Sequence, residues 1–331
     1  MEFVIEQHIR DYGNKRENGA YADSTIKNYI SAIRSLHKMV EGKDALFDDL
    51  DWARDSDRVL KILESKDNPQ TRRNLVNGLI VSLQVLKYKS PTIKPYEDLR
   101  DQYNAIYMSS GNLTGNQKTI MSAIKKKDIL EFLSSESLDP ALTQDLTRFS
   151  CFVAVSIHTT YPFRNEMGTM KFIRRVIYNN MKDDLKQLNN WIILENGFDK
   201  MTFALTRFKS HKIYGIKEID VEPKFTRFFL KMCQIRDIKL KDIHGVPVLM
   251  ANTGDAFNKN KLSKYLSDYT RKGVGHPIST TIMAKMFGSD AVDPVNPTGE
   301  ELAQMGLEAD IRATKHKGKF LLYAKPTCED D

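Results

Sequence analysis

The chain has 331 residues, enough for two domains with sizeable cores, and its 41% apolar and 28% charged content is ordinary for a globular protein. The formal charge of +7, with a pI near 9.0, suits a polyanionic partner without requiring one. No apolar run of about 18 residues is present, which argues against a membrane span. The opening MEFVIEQHIRDYG lacks the apolar core of a signal peptide. Cys151, Cys233 and Cys328 are widely spaced and form no metal-ligand pattern, so an intracellular, reducing setting is expected.

In chain order, Asp23-Ser24-Thr25 supplies N-cap candidates for a first helix. Its apolar side is Ile26, Tyr29, Ile30, Ile33 and Leu36, with Lys27, Arg34 and Lys38 off that stripe. Residues 43–53 suggest a loop with short structure. Val59, Leu60 and Leu63 mark a second helix. Asn68-Pro69-Gln70-Thr71 stops it and starts a third, which opens with Arg72-Arg73 and carries Leu75, Leu79, Leu83 and Leu86. Pro91 and Pro95 bracket a break, and Tyr96–Tyr107 forms a fourth helix. Residues 1–108 are therefore expected to form a helical bundle.

Residues 109–118, rich in Ser, Gly, Asn and Thr, read as a linker, and residues 119–331 as a second domain. There Lys126–Ser134 is a short helix and Thr143–Ile157 a longer, apolar one. Trp191–Leu194, Met201–Phe208 and Tyr214–Val221 are rich in β-branched and aromatic residues. Asn196-Gly197 provides a hairpin turn between the first two, so a three-stranded antiparallel sheet is expected. Phe225–Ile235, the segment around Leu262, Leu266 and Tyr269, and Pro277–Phe287 return to helix. Residues 293–297 read as a loop, and a basic segment runs out to Tyr323. The fold class is thus mainly α with a small antiparallel β-sheet, in two domains.

The segment SIHTTYPFRNEMGTMKFIRR, residues 156–175, stands out. Pro162 breaks the chain, since the residue before a proline is pushed out of helical conformation. Arg164 and Glu166 follow the break, flanked by segments apolar enough to be buried helix. A guanidinium held there is a good anion clamp, because its planar fork matches phosphate oxygens. The alternative is a structural Arg164–Glu166 pair at a helix start. Basic clusters at Arg72-Arg73, Lys125-Lys126-Lys127, Arg174-Arg175 and Arg312 to Lys319 could each be solvated surface. Two basic domains on a polar linker can also close around a rod-shaped polyanion, which favours double-stranded DNA over small-molecule chemistry. No Gly-rich phosphate loop, paired-histidine metal motif or nucleophile elbow is present, so no nucleotide, metal or other cofactor is expected.

The order of these segments resembles the tyrosine recombinase/integrase family, in particular the integrase-like proteins of large DNA viruses and mobile elements. DSTIKNYISAIRSLHKMVEG resembles the family's first core-binding helix, and NPQTRRNLVNGLIVSLQVLK a later helix that lies on DNA. TTYPFRNEMGTMKF is similar to the box of the first catalytic arginine, matching Arg164 with Glu166 as its acidic neighbour. LTRFKSHKIYGIKEIDVEP is similar to the β-hairpin that carries the catalytic lysine, matching Lys209. The resemblance implies a helical core-binding domain followed by a recombinase-like catalytic domain. It also implies tyrosine attack on a phosphodiester through a 3′-phosphotyrosyl link, without metal or nucleotide. Arginines and a histidine would stabilise the phosphoryl charge, and the lysine would protonate the departing oxygen.

The C-terminal half departs from that pattern. In GHPISTTIMAKMFGS the second arginine's register falls on Ala284, beside Lys285. The histidine box reads Met305-Gly306-Leu307. His316 stands where the tyrosine is expected, and the nearest tyrosine is Tyr323. Two readings stay open. Tyr323 is the nucleophile, with Lys285, Arg312 or His316 filling in for lost groups. Or the catalytic set is broken, and Arg164 and Lys209 bind phosphate on a DNA-binding fold. Arg72, Arg73, Lys212, Lys285, Arg312 and Lys315 are the residues expected to face DNA, as a homo-oligomer if the family's habit is kept. The setting would be the host nucleus or cytoplasm, or viral DNA.

Overall fold

The computed structural model describes residues 2–14, 20–42, 49–109, 114–161, 163–195, 198–208, 211 and 215–288. The chain divides into two compact units, Met1–Thr114 and Gly115–Asp331.

The first unit is built of α1 (Glu2–Asn14), α2 (Asp23–Glu41), α3 (Ser56–Glu64), α4 (Pro69–Val85) and α5 (Ser90–Ser109). Ile26, Ile30, Ile33 and Leu36 of α2 and Leu75, Leu79 and Leu83 of α4 share one core. Gly78 lets the two helices touch, since a Cβ there would lie 2.8 Å from that of Ala32 and 3.1 Å from the Tyr29 carbonyl oxygen. Asn68 caps α4, its side chain accepting from Gln70 N at 2.9 Å and Thr71 N at 3.4 Å, with Pro69 opening the helix. Tyr96 is fully buried and its hydroxyl donates to the Ala53 carbonyl at 2.6 Å.

Two sequence expectations change in this unit, and one element is present that the sequence did not suggest. The N-terminal stretch is a helix, because Ile5 and Ile9, four apart, both reach the core. Asp23 does not cap α2; its carboxylate takes the Arg10 guanidinium of α1 at 2.5 Å instead. Pro91 and Pro95 do not bracket a break. α5 runs through Pro95, which lies near the helix start and removes a single backbone bond there.

The second unit begins with α6 (Gly115–Ala123), so residues 115–118, expected as linker, are helical. α7 (Lys126–Leu138) and α8 (Leu146–His158) follow. α8 is buried continuously from Phe149 to His158, as expected of a helix apolar on all sides. Asp145 caps its start by accepting from Arg148 N at 2.9 Å. A 3-10 turn (Asn165–Thr169) then leads into strand β1 (Lys171–Arg174).

The sheet is mixed, with order β1-β2-β3-β4, where β2 is Trp191–Leu194, β3 Met201–Leu205 and β4 Lys217–Asp220. The expected antiparallel trio is there, and β1 adds a parallel fourth strand. So the segment after Pro162 is a turn and a strand, not a second helix. A parallel pair needs a crossover, here the short helices α9 (Arg175–Asn180) and α10 (Asp183–Lys186). One sheet face joins the main core through Phe172, Ile192, Phe203 and Leu205. The other packs Ile173, Trp191, Ile193 and Ala204 against Tyr178 of α9. The outer edge of β1 is occupied: Phe172 N donates to the Val246 carbonyl and Gly245 N to that of Phe172, each at 2.9 Å.

Three helices complete the unit: α11 (Pro223–Ile235), α12 (Lys259–Val274) and α13 (Thr280–Gly288). α13 starts at Thr280, three residues later than expected from Pro277. α11, α12 and α13 all pack on α8.

Candidate functional site

The site is assembled where α8 ends. Tyr161 is buried, and its hydroxyl donates to the Asp220 carbonyl at 3.0 Å and accepts from Glu222 N at 2.9 Å. Phe163 is fully buried and meets Tyr161 and Phe203 at centroid distances of 5.6 and 5.0 Å. These two anchors fix the chain on either side of Pro162 and deliver Arg164, half-buried, as the next residue.

The Arg164 main chain is then held at both ends. Its N–H donates to Oε2 of Glu166 at 2.7 Å, and its carbonyl lies 3.0 Å from Nε2 of His158. Glu166 is buried, so the expected carboxylate neighbour supports the arginine through its backbone. The next residue reaches across the unit, with Asn165 Oδ1 accepting from Oγ1 of Thr280 at 3.0 Å. That bond ties the first turn of α13 to the arginine segment. Gly168 lets the 3-10 turn sit against the start of α12: a Cβ there would lie 2.8 Å from the Asn258 carbonyl oxygen. Thr270 secures the approach to α13, since its hydroxyl accepts from Ile278 N at 2.8 Å.

Lys285 lies on α13 and is buried, as is its neighbour Ala284. A buried methyl at 284 offers no charge and no hydrogen bond to an anion. In the first unit, Arg72 donates to the carbonyls of Glu64, at 2.8 Å, and Lys66, and its guanidinium lies 5.9 Å from the Tyr103 ring centre. Two arms of its fork thus close the end of α3. Arg73 is half-buried in the first turn of α4. Arg175, from an expected surface cluster, is a structural clamp, donating to Glu195 at 2.8 and 2.5 Å and to Glu218 at 2.9 Å. Lys209, Lys212, Arg312, Lys315, His316 and Tyr323 lie outside the described residues, as does Leu307.

Sequence reasoning missed His158, Asn165 and Thr280. The one available signal was a histidine at the end of an otherwise apolar helix.

A cleft of about 580 Å³ opens at the other end of α8, lined by Phe132, Glu136, Arg148, Tyr265, Tyr269 and Lys272 among others. Arg148, Glu136 and Tyr269 satisfy one another there. Arg148 forks onto Glu136 at 2.9 and 2.5 Å and reaches Asp139 at 2.7 Å, while the Tyr269 hydroxyl donates to Glu136 at 2.8 Å. Burial raises the Tyr269 hydroxyl pKa and pushes the Cys151 thiol up to about 12. Among the described residues there is no cluster of metal-ligating side chains and no helix long and apolar enough to cross a membrane.

No family model matches the chain, and no curated protein sequence matches it. Among solved structures, that of XerA recombinase overlaps with a TM-score of 0.37 and 9% identity, covering 98% of this chain and 94% of that one. That likeness is too slight to carry an argument about fold or function.

Proposed function

We propose that the chain is a DNA-binding protein of the tyrosine recombinase type, acting in DNA integration or site-specific recombination with an incomplete catalytic set. The observation that supports it most is the double tether on Arg164. With the main chain already fixed, only the side-chain rotamers remain to be ordered when the guanidinium grips a phosphate, so less entropy is lost. The excess positive charge of the chain favours the same class of partner. Lys209, where the family resemblance puts the hairpin lysine, is the second phosphate ligand in this scheme.

The test is duplex binding by fluorescence anisotropy over a salt series. Arg164→Ala keeps the tethered backbone and removes only the side chain. Affinity is expected to fall about tenfold, with the salt slope reduced by about one. Unchanged affinity and slope sink the proposal.

Binding without strand cleavage is a second reading, favoured by the buried methyl of Ala284. It predicts no covalent protein–DNA adduct on a denaturing gel under any condition. An adduct that disappears in Tyr323→Phe would instead establish the enzyme.

A further inference from the structure

His158 is the last residue of α8 and is 1% exposed. Its Nδ1 lies 2.6 Å from the Ala154 carbonyl oxygen and its Nε2 3.0 Å from that of Arg164. Carbonyl oxygens only accept hydrogen bonds. A neutral imidazole has one N–H and one lone pair, so it can satisfy one of these contacts and sets lone pair against lone pair at the other. Two contacts within bonding distance of two acceptors therefore call for two N–H groups, and the ring that has two is the imidazolium.

The surroundings suit a cation. The ring sits at the carboxyl end of a 13-residue helix, where the backbone dipole is negative. Glu166, buried, holds the N–H of the same residue whose carbonyl His158 holds. Among the described ionic side chains in the following turn and on the helices packed against α8, Glu166 and Lys285 are buried and Arg164 is half-buried. Those of α7, α11 and α12 are half-buried or exposed. Glu166, whose carboxylate reaches the Arg164 N–H, is buried beside this turn and carries the sign that offsets an imidazolium.

We propose that His158 is a buried imidazolium that bridges the end of α8 to the Arg164 carbonyl, and is thereby a positioning residue for Arg164. The protonation state stands on the ring geometry alone; the positioning role rests on Arg164 gripping DNA phosphate.

The experiment is two-bond proton–nitrogen NMR on the full, uniformly labelled chain near neutral pH, which distinguishes a protonated ring nitrogen from a bare one. Both nitrogens of His158 are expected to carry protons. A bare nitrogen at either position overturns the imidazolium, and no variant is needed to read it. The positioning role is tested by duplex anisotropy with His158→Gln, whose two N–H donors share one nitrogen and so cannot span the two carbonyls as the two ring nitrogens do. Its affinity is expected to drop about tenfold, and to show no further drop when Arg164 is already alanine. Wild-type affinity, or an equal drop with and without the Arg164 side chain, overturns it. A chain that binds no duplex defeats the functional proposal and the positioning role, and leaves the protonation state to the spectrum.

Discussion

The N-terminal unit joins α2 to α4 with aliphatic side chains across the opening left by Gly78, and the described residue it buries that can carry charge is His37. The second unit has a larger apolar core, yet it also takes His158, at the end of α8, together with Glu166 and Lys285 out of water. Removing ions from water costs several kcal/mol each unless they are paired and hydrogen-bonded. The first unit shows a helical core assembled almost wholly from apolar side chains. Two of these buried groups, His158 and Glu166, hold the Arg164 carbonyl and N–H, and are better understood as fixing that main chain than as stabilising the fold.

The contrast can be broken most severely on the apolar side. Leu79→Ala removes a fully buried side chain of α4, and is expected to lower stability by about 3 kcal/mol in denaturant unfolding. The same assay on Glu166→Ala sharpens the other side. That change strands the Arg164 N–H and removes a buried carboxylate, for an expected loss of about 3 kcal/mol. Glu166→Gln keeps an acceptor and should lose less. If alanine at 166 is neutral, the buried-ion account of this unit is wrong.

Gly168→Ala should cost about 1–3 kcal/mol, because its Cβ would press on the Asn258 carbonyl, which is backbone and cannot swing away. A smaller effect is expected at the sheet. Arg175→Ala removes the clamp on Glu195 and Glu218, partly exposed, for about 1 kcal/mol. Hydrogen bonds from Arg175 lower the pKa of Glu195. The stability this lends is present above the ordinary carboxylate range and is lost as pH falls through the lowered value. The Arg175→Ala penalty should therefore shrink in acid, and a penalty that grows in acid would contradict the clamp.

The smallest response belongs to Cys151. With its thiol pushed up to about 12 by burial, it should resist alkylation in mildly alkaline buffer until the protein is unfolded, as read by mass spectrometry.

The sequence by itself determined α2, α3 and α4, through apolar residues at helical spacing and the Asn68-Pro69 start signal. It determined that α8 is buried, and it placed Arg164 just after a chain break. These are local signals, carried by spacing and by the conformational limits of proline. Tertiary structure decided the rest. Among its described side chains, α1 brings Ile5 and Ile9 to the hydrophobic core from a charged stretch, too few to announce a helix. β1 is four residues long and pairs in parallel with β2, a partner that exists only after the α9–α10 crossover. The Arg72 guanidinium meets two carbonyls at the end of α3, partners that its own place in the sequence did not announce. His158 gave no sign that both ring nitrogens meet acceptors, because one of those acceptors, the Arg164 carbonyl, comes from beyond the end of its own helix. Periodicity records which face of an element is apolar; the partners of a buried polar group are set by where other segments end, and nothing in the group's own neighbourhood encodes that.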